Sequence, residues 1–539
     1  MSSTSGSPSA APSTPSTPST PSTYVHAANG SNERFDFGDE VPPAGSLGAV
    51  HFIAIGGAGM SGVARVMLAR GLTVSGSDAK KSLVLAALAA EGAQVHIGHD
   101  VANLAGADTV VVSSAIRENN VELREARSRG LRVLHRSQAL ASVMQGSRKV
   151  AVAGANGKTT TTSMLVVALQ QCGVDPSFAV GGELAKHGTN AHHGTGEIFV
   201  AEADESDGSF LVYRPEVAIV TNVQPDHLDF YGTFEKVQAA YARFAATVQP
   251  GGLLVTCADD QGSRTLCEVA RAAGTRVISY GMAADADVRL RDVGGAGMQA
   301  YATLTRGEGS HDRGVGVAAG LPGIGRLDIS IPGRHNLLNA TAALVAATEG
   351  LGQDPARVLR GLSSFTGTRR RFEPKGEAGG VRVVDDYAHN PGKVSAVVET
   401  ARVLAAPGRL IVVFQPHLYS RTRDFAAELA EALSPADIVL VMEVYAARED
   451  PMPGVSGALI SDRLADRYAG DPQAGERVRF VPSWSEVAPL AARLASPGDL
   501  VLTVGAGDVT MIGPEILRLL DNPPDANATT VGQLGQERH

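Results

Sequence analysis

Short apolar runs alternate with amphipathic stretches along most of the chain. Runs rich in Val, Ile and Leu recur at Ala49–Ile55, Val150–Ala153, Ile198–Ala201, Val217–Val223, Val381–Asp385, Leu410–Phe414, Ile438–Met442 and Leu500–Val504. Uninterrupted apolar runs of this length predict strands buried on both faces of a mostly parallel sheet. Helical stretches follow several of them, as at Thr162–Gln171 and Leu337–Glu349. The alternation predicts an α/β protein, with three blocks at about residues 46–147, 148–364 and 365–521. No short-period internal repeat accompanies it. Both ends fall outside the pattern. Residues 2–23 contain only Ser, Thr, Pro, Ala and Gly and close on four Pro-Ser-Thr repeats. Such a segment has no apolar surface to offset its ordering entropy, so residues 1–45 are expected to form a disordered tail. It lacks the charged and apolar regions of a secretory signal. Residues 522–539 read as a second, polar tail.

Composition narrows the class. A chain of 539 residues with 44% hydrophobic and 19% charged residues is long enough for several cores and needs no disulfide scaffold. Its three cysteines, Cys172, Cys257 and Cys267, form no CxxC pair, which points to a reducing, cytoplasmic setting and away from structural zinc. The net charge of −9 argues against nucleic acid as a partner. No run approaches the length of a membrane span.

Two glycine-rich loops carry the chemistry. The first follows strand His51–Ile55 as Gly56-Gly57-Ala58-Gly59-Met60-Ser61-Gly62, so Gly57, Gly59 and Gly62 satisfy GxGxxG. Ser77 and Asp78 end the next short strand, about 20 residues on. Glycines allow the backbone close to a ligand, and helix-start N–H groups face an anionic diphosphate. This loop alone favours NAD(P) or another diphosphate nucleotide without deciding between them. The second follows Val150–Ala153 as Gly154-Ala155-Asn156-Gly157-Lys158-Thr159-Thr160. It is a shorter variant of the phosphate-cradling GxxxxGK(S/T) loop, with Val152 where the longer pattern has Gly. Lys158 would neutralise the β- and γ-phosphates and Thr159 would coordinate Mg²⁺. Glu202, Asp204, Glu205 and Asp207 follow the next strand, and four acids so close repel one another unless cations or donors are near. Asp226-His227-Leu228-Asp229 is a second candidate cluster, with His227 an occasional Mg²⁺ ligand at best.

Further stretches complete a recognisable series. In order they are HFIAIGGAGMSG from His51, GSD from Gly76, VVSSAI from Val111, GKTTTT from Gly157, AEADESDGSFL from Ala201 and TNVQPDHLD from Thr221. Then come PGRHNLLNA from Pro332, RRF from Arg370, DDYAHNP from Asp385, FQPHLYSRTRDF from Phe414, EVYAAREDPMPGVSG from Glu443 and VGAGD from Val504. The chain resembles the Mur ligase family across almost all of residues 49–515, and most closely its alanine-adding member.

The resemblance implies three domains: a Rossmann-like UDP-sugar domain, a central P-loop ATP-binding domain and a C-terminal Rossmann-like domain. It implies ATP-dependent joining of L-alanine to UDP-N-acetylmuramate through an acyl phosphate, with Mg²⁺, in cytoplasmic peptidoglycan precursor synthesis. It places Gly57, Ala58, Gly59, Met60, Ser77, Asp78 and Ser114 on the UDP-sugar. It places Gly154, Ala155, Asn156, Gly157, Lys158, Thr159, Thr160, Asn336, Asn339, Arg371 and Asp386 on ATP. Thr159, Glu202 and His227 are the implied metal ligands. His389, His417 and Arg421 line the muramoyl and alanine carboxylate side. Lys158, Glu202, His227 and His389 are the implied catalytic set.

The sequence departs from the family pattern at Asn156, usually His, and Gln224, more commonly Glu. It also departs at Asn390-Pro391-Gly392-Lys393, usually His-Pro-Thr-Glu, at Leu418, often Arg, and at Gln138, commonly Glu. These departures leave in play a divergent paralogue with another amino acid or reduced activity, and the Gly57-Gly59-Gly62 loop leaves in play an NAD-dependent oxidoreductase.

Overall fold

The structure is a computed structural model that describes residues 34–522, except 39, 185–187, 308–324, 448 and 470–473. The Pro-Ser-Thr repeats and the last seventeen residues, expected to be disordered, lie outside the described residues.

The apolar runs form three sheets. The first has five strands in the order Gln94–Ile97, Val74–Asp78, Val50–Ile53, Thr109–Val112 and Arg132–His135. All its pairings are parallel. The order reverses on either side of Val50–Ile53, and ligands of open α/β sheets collect at such a switch point. The GxGxxG loop leaves the end of that strand, and Ser113–Ile116 leaves its neighbour.

In the second sheet, of ten strands, Arg148–Ala153 lies between Val217–Val220 and Ile198–Glu202, parallel to both. The Gly154–Gly157 loop is therefore flanked by the acidic turn 203–207 on one side and by 221–227 on the other. This sheet is less parallel than expected. Val288–Ala296 joins parallel to Arg276–Gly281, but Gln299–Arg306 and then Gly325–Ile329 add on antiparallel, as Thr189–His192 does at the opposite edge. These strands are half exposed, as in Val288–Ala296, so they read as polar and leave no continuous apolar run.

The third sheet has six strands, five of them parallel, with Glu373–Ala378 antiparallel at one edge. Loops 387–390, 415–418 and 505–507 leave its central strands on the same edge. Element ends differ slightly from expectation. The helix read as Thr162–Gln171 begins at Lys158, because the Gly157 N-cap passes directly into it. The helix read from Leu337 begins at Arg334 and ends at Val345, before a widened turn at Ala346–Gly350.

One expectation is overturned. Residues 34–38 and 40–45, assigned to the disordered tail, pack on the first domain. Phe35 and Phe37 are 9% and 6% exposed, and both rings lie against His135, with centroids 5.1 and 5.3 Å away. Arg34 donates to the carbonyls of Ser114 and Ile116, and Gln138 donates to that of Asp36. Two aromatics supply the apolar surface that the preceding residues lack.

Candidate active site

The second glycine loop owes its shape to backbone freedom. Gly154 and Gly157 have φ of +133° and +86°, values open to glycine. A Cβ at Gly154 would overlap the Thr221 hydroxyl, and one at Gly157 would lie 2.5 Å from Asn339 Oδ1. Asn339 thus abuts the phosphate loop. Asn336, one helical turn earlier, donates to the Pro332 carbonyl at 2.6 Å.

Lys158 Nζ donates to the Gly154 carbonyl at 2.6 Å and to Glu205 Oε1 at 2.8 Å. Burial alone would lower its pKa, but the Glu205, Asp204 and Glu202 carboxylates hold it above the usual lysine range. Thr159 Oγ1 donates to Glu202 Oε1 at 3.1 Å, while Glu202 Oε2 accepts from the Gly181 amide at 2.7 Å. His227, in the left-handed region at φ +54°, has Nε2 3.8 Å from Glu205 Oε1 and 3.9 Å from Asp226 Oδ2. The metal candidates Thr159 and Glu202 are brought together, and His227 stands nearer Glu205. Among the described residues no group of three or more His, Cys, Asp or Glu is arranged to hold a metal ion. Thr159 and Glu202 supply hard oxygen donors, which suit a Mg²⁺ that keeps its waters and shares phosphate oxygens.

The four clustered acids are tolerated because each has its own partner. Glu202 accepts from Thr159 and Glu205 from Lys158. Asp204 accepts from Arg136 at 2.8 Å, and Asp207 accepts from Ser114 and lies beside His135. Burial would raise the Asp204 pKa, but Arg136, Lys158 and His227 hold it far below the carboxylate range. Two of these partners, Ser114 and Arg136, belong to the first domain, so the acidic turn ties the first two domains together.

Arg136 was missed in the sequence. It follows strand Arg132–His135, and its guanidinium fills the space a Cβ on Gly59 would take. A cation thus sits against the diphosphate-type loop. Asp78 holds that loop by accepting from the Gly56 amide at 2.9 Å. Ser77 does not offer its hydroxyl to a ligand here: it is buried and donates to Glu122 Oε2 at 2.6 Å. The Ser114 hydroxyl is likewise engaged with Asp207, and Met60 is buried in the core.

The third domain closes over the loop. Arg371 Nη2 donates to Thr159 Oγ1 at 3.4 Å, and Asn390 Nδ2 donates to Asp226 Oδ2 at 3.1 Å. Asp386 spends both oxygens on the amides of Phe372 and Ala388, each at 2.7 Å. Its role is to position the arginine turn. His389 Nδ1 lies 2.9 Å from the Tyr387 carbonyl. A carbonyl only accepts, so Nδ1 carries the proton and Nε2 keeps its lone pair. Burial, with the charges of Lys393 and Arg421, holds His389 well below the usual histidine pKa. His417 stacks on Tyr445 and meets His389 edge-on, with Arg421 Nη1 at 3.4 Å from its Nδ1.

Several family departures meet in one place. Asn156 Nδ2 donates to Gln224 Oε1 at 2.9 Å, and Gln224 Nε2 donates to Asp260 Oδ1 at 3.2 Å. A Cβ on Gly392 would lie 3.8 Å from both Asn156 Nδ2 and Gln224 Oε1. The Asn–Gln pair makes its contact without charge, at two of the positions where the sequence departs from the family pattern.

Three family models match consecutive stretches: Mur ligase family catalytic domain over 49–148, Mur ligase middle domain over 152–347, and Mur ligase glutamate ligase domain over 370–507. The chain is 54% identical to a UDP-N-acetylmuramate–L-alanine ligase of Kineococcus radiotolerans, over 90% of this chain and 98% of the relative. It is 52% identical to one from Saccharopolyspora erythraea, over 87% and 93%. Among solved structures it is similar to UDP-N-acetylmuramate–alanine ligase from Thermotoga maritima. That match has a TM-score of 0.70 and 27% identity, covering 87% of this chain and 98% of that one. A murein peptide ligase from Psychrobacter arcticus matches at TM-score 0.62 and 25% identity, covering 88% and 99%. Identity of this level across nearly the whole length, on three sheets whose ligand edges face one another, establishes that the chain belongs to the Mur ligase family.

Proposed function

We propose that the protein is an ATP-dependent ligase joining L-alanine to the carboxylate of UDP-N-acetylmuramate, giving ADP, phosphate and UDP-N-acetylmuramoyl-L-alanine. The reading is supported most by the convergence at the Gly154–Gly157 loop. Lys158, the Thr159–Glu202 pair and Arg371 of the third domain surround one place where phosphates fit. An oxidoreductase has no use for such an arrangement.

A carboxylate is a poor electrophile, and phosphorylation by ATP gives it a good leaving group. Two anions must approach, so positioned cations carry much of the catalysis. Lys158 holds the phosphate chain against the loop amides. Arg371, aimed by Asp386, adds charge as the third domain closes. Thr159 and Glu202, with His227 as the further candidate, would hold Mg²⁺, which would supply neutralisation of charge between the reacting groups. His389, neutral with a free Nε2, takes a proton from the alanine nitrogen as the neutral amine bonds to the acyl carbon and phosphate leaves with the electron pair of the broken carbon–oxygen bond. His417 and Arg421 receive the alanine carboxylate. Arg136 and the Gly57–Met60 turn face the UDP diphosphate. The boundaries 46–147, 148–364 and 365–521 are proposed as the domain limits, with residues 34–45 joined to the first, and a nucleotide-sugar substrate fits a cytoplasmic site of action.

The test is phosphate release with ATP, Mg²⁺, UDP-N-acetylmuramate and single amino acids. Release that depends on L-alanine and exceeds that with glycine or L-serine is expected. Release driven better by another amino acid would replace alanine in this reading.

A further inference from the structure

Lys393 has no role in the chemistry above, yet it occupies the interface between the second and third domains. It lies in the first turn of the helix Pro391–Ala405, where its amide is capped by Asn390 Oδ1 at 2.9 Å. Its Nζ is 4.0 Å from Asp226 Oδ2, outside hydrogen-bond range, and that oxygen already accepts from Asn390 Nδ2. The groups whose charges bear on it are Lys158, Arg371, Asp226 and Glu205. Glu205 is already paired with Lys158.

A lysine in this place is opposed three ways. Its side chain is only 24% exposed, the charges of two other cations bear on it, and a helix start disfavours positive charge. Burial and then the Lys158 charge pull it down to about 8. Both carboxylates that bear on it are engaged elsewhere, Glu205 with Lys158 and Asp226 with Asn390, so neither holds the Lys393 ammonium in a hydrogen bond, and a polyanion would.

We propose that Lys393 is a third phosphate-binding cation, contributed by the third domain and acting with Lys158 and Arg371 on the phosphoryl group in transfer. The inference rests on the ligase reading above. In the step it assists, a substrate carboxylate oxygen bonds to the γ-phosphorus while the bond from that phosphorus to the β,γ-bridging oxygen breaks and ADP leaves with the electron pair. Lys393 gives up no proton; its charge offsets that of the transferring group. It also ties phosphate binding to closure, because Lys393 reaches the site only when its helix sits against Asn156 and Gln224.

The test compares wild type with Lys393→Met and Lys393→Arg, with Lys393→Gln in reserve should the Met variant not fold. Turnover is read as phosphate release. Nucleotide binding is read by calorimetry at pH 8.5 with a non-hydrolysable ATP analogue, in buffers of different ionisation enthalpy. We expect Lys393→Met to lower kcat at least about tenfold and Lys393→Arg to restore most of it. Wild type should take up protons on binding the analogue, because a nearby anion favours the charged lysine, and both variants should lose that uptake. Unchanged kcat in Lys393→Met, an Arg variant as impaired as the Met variant, or unaltered proton uptake in the variants would each overturn the proposal. The calorimetric arm needs only nucleotide. A wild type without alanine-dependent release therefore defeats the substrate reading while Lys393 is still judged by proton uptake.

Discussion

Lys158 joins a proposed catalytic role to a structural one. Considered as a phosphate ligand alone, it could be removed with the fold intact. Its bond to Glu205, a side chain only 3% exposed, changes that expectation, because Lys158→Ala leaves a buried carboxylate unpaired. We expect turnover to fall by a factor on the order of 10²–10³ and stability by about 3 kcal/mol. Adding Glu205→Gln should restore the melting temperature but not turnover. His389 carries a prediction about pH. Its folded pKa lies below the ordinary histidine value, so the ring stays neutral at pH 7 and charges only in more acid solution. A resonance of His389 that titrates at or above pH 6.5 in an NMR titration would contradict its assignment as a proton acceptor.

At the scale of elements, two short segments hold the first domain's ligand edge. Gly59→Ala places a methyl where the tip of Arg136 now lies. A long side chain can move aside, so the fold should survive. The Arg136–Asp204 bridge should not, and the KM for the UDP-sugar should rise by about tenfold with the KM for ATP little changed. The segment 34–38 makes a separate prediction. Phe35→Ala with Phe37→Ala removes two buried rings against His135, for a loss of about 3–6 kcal/mol measured by chemical denaturation. A loss confined to a few tenths would mean that the segment merely lies on the surface. Beneath the same edge, Glu122 is buried and accepts from Ser77 and Asn103. Burial opposes its charge, but these donors and His51 hold it down at about 2. Its contribution is therefore present above pH 4.5 and lost as pH falls from there towards 2. Glu122→Gln should flatten the acid limb of the stability curve over that window.

At the scale of the whole molecule, the three sheets aim their ligand edges at one another, and a few polar bonds hold the third domain closed. Arg371 to Thr159 and Asn390 to Asp226 are two of them. Bonds of this kind are worth about 0.5–1.5 kcal/mol each. Arg371→Ala with Asn390→Ala should shift the protein to a more open form, read as a larger radius of gyration in X-ray scattering, and should lower kcat more than it changes UDP-sugar affinity. An unchanged radius would mean that other contacts hold the domain in place.

Much of this was legible in the amino-acid order. Apolar runs such as Val150–Ala153 and Leu410–Phe414 mark strands because a strand buried on both faces cannot be polar. Gly154, Gly157, Lys158 and Thr159 announce a phosphate loop because their spacing is local to one turn. The half-exposed strands Val288–Ala296 and Gln299–Arg306 gave no such signal, since half of each faces water. The acidic turn could be recognised as functional, but not how its charges are apportioned. Glu202 goes to Thr159, Asp204 to Arg136, Glu205 to Lys158 and Asp207 to Ser114, partners as many as 93 residues away. The same holds for Lys393, a departure from pattern in the chain and a third cation in space. Local spacing determined which loops have the backbone form of an anion cradle. Only the packing of three domains decided which charges share a site, because Coulomb and hydrogen-bond energies depend on distance in space and not along the chain.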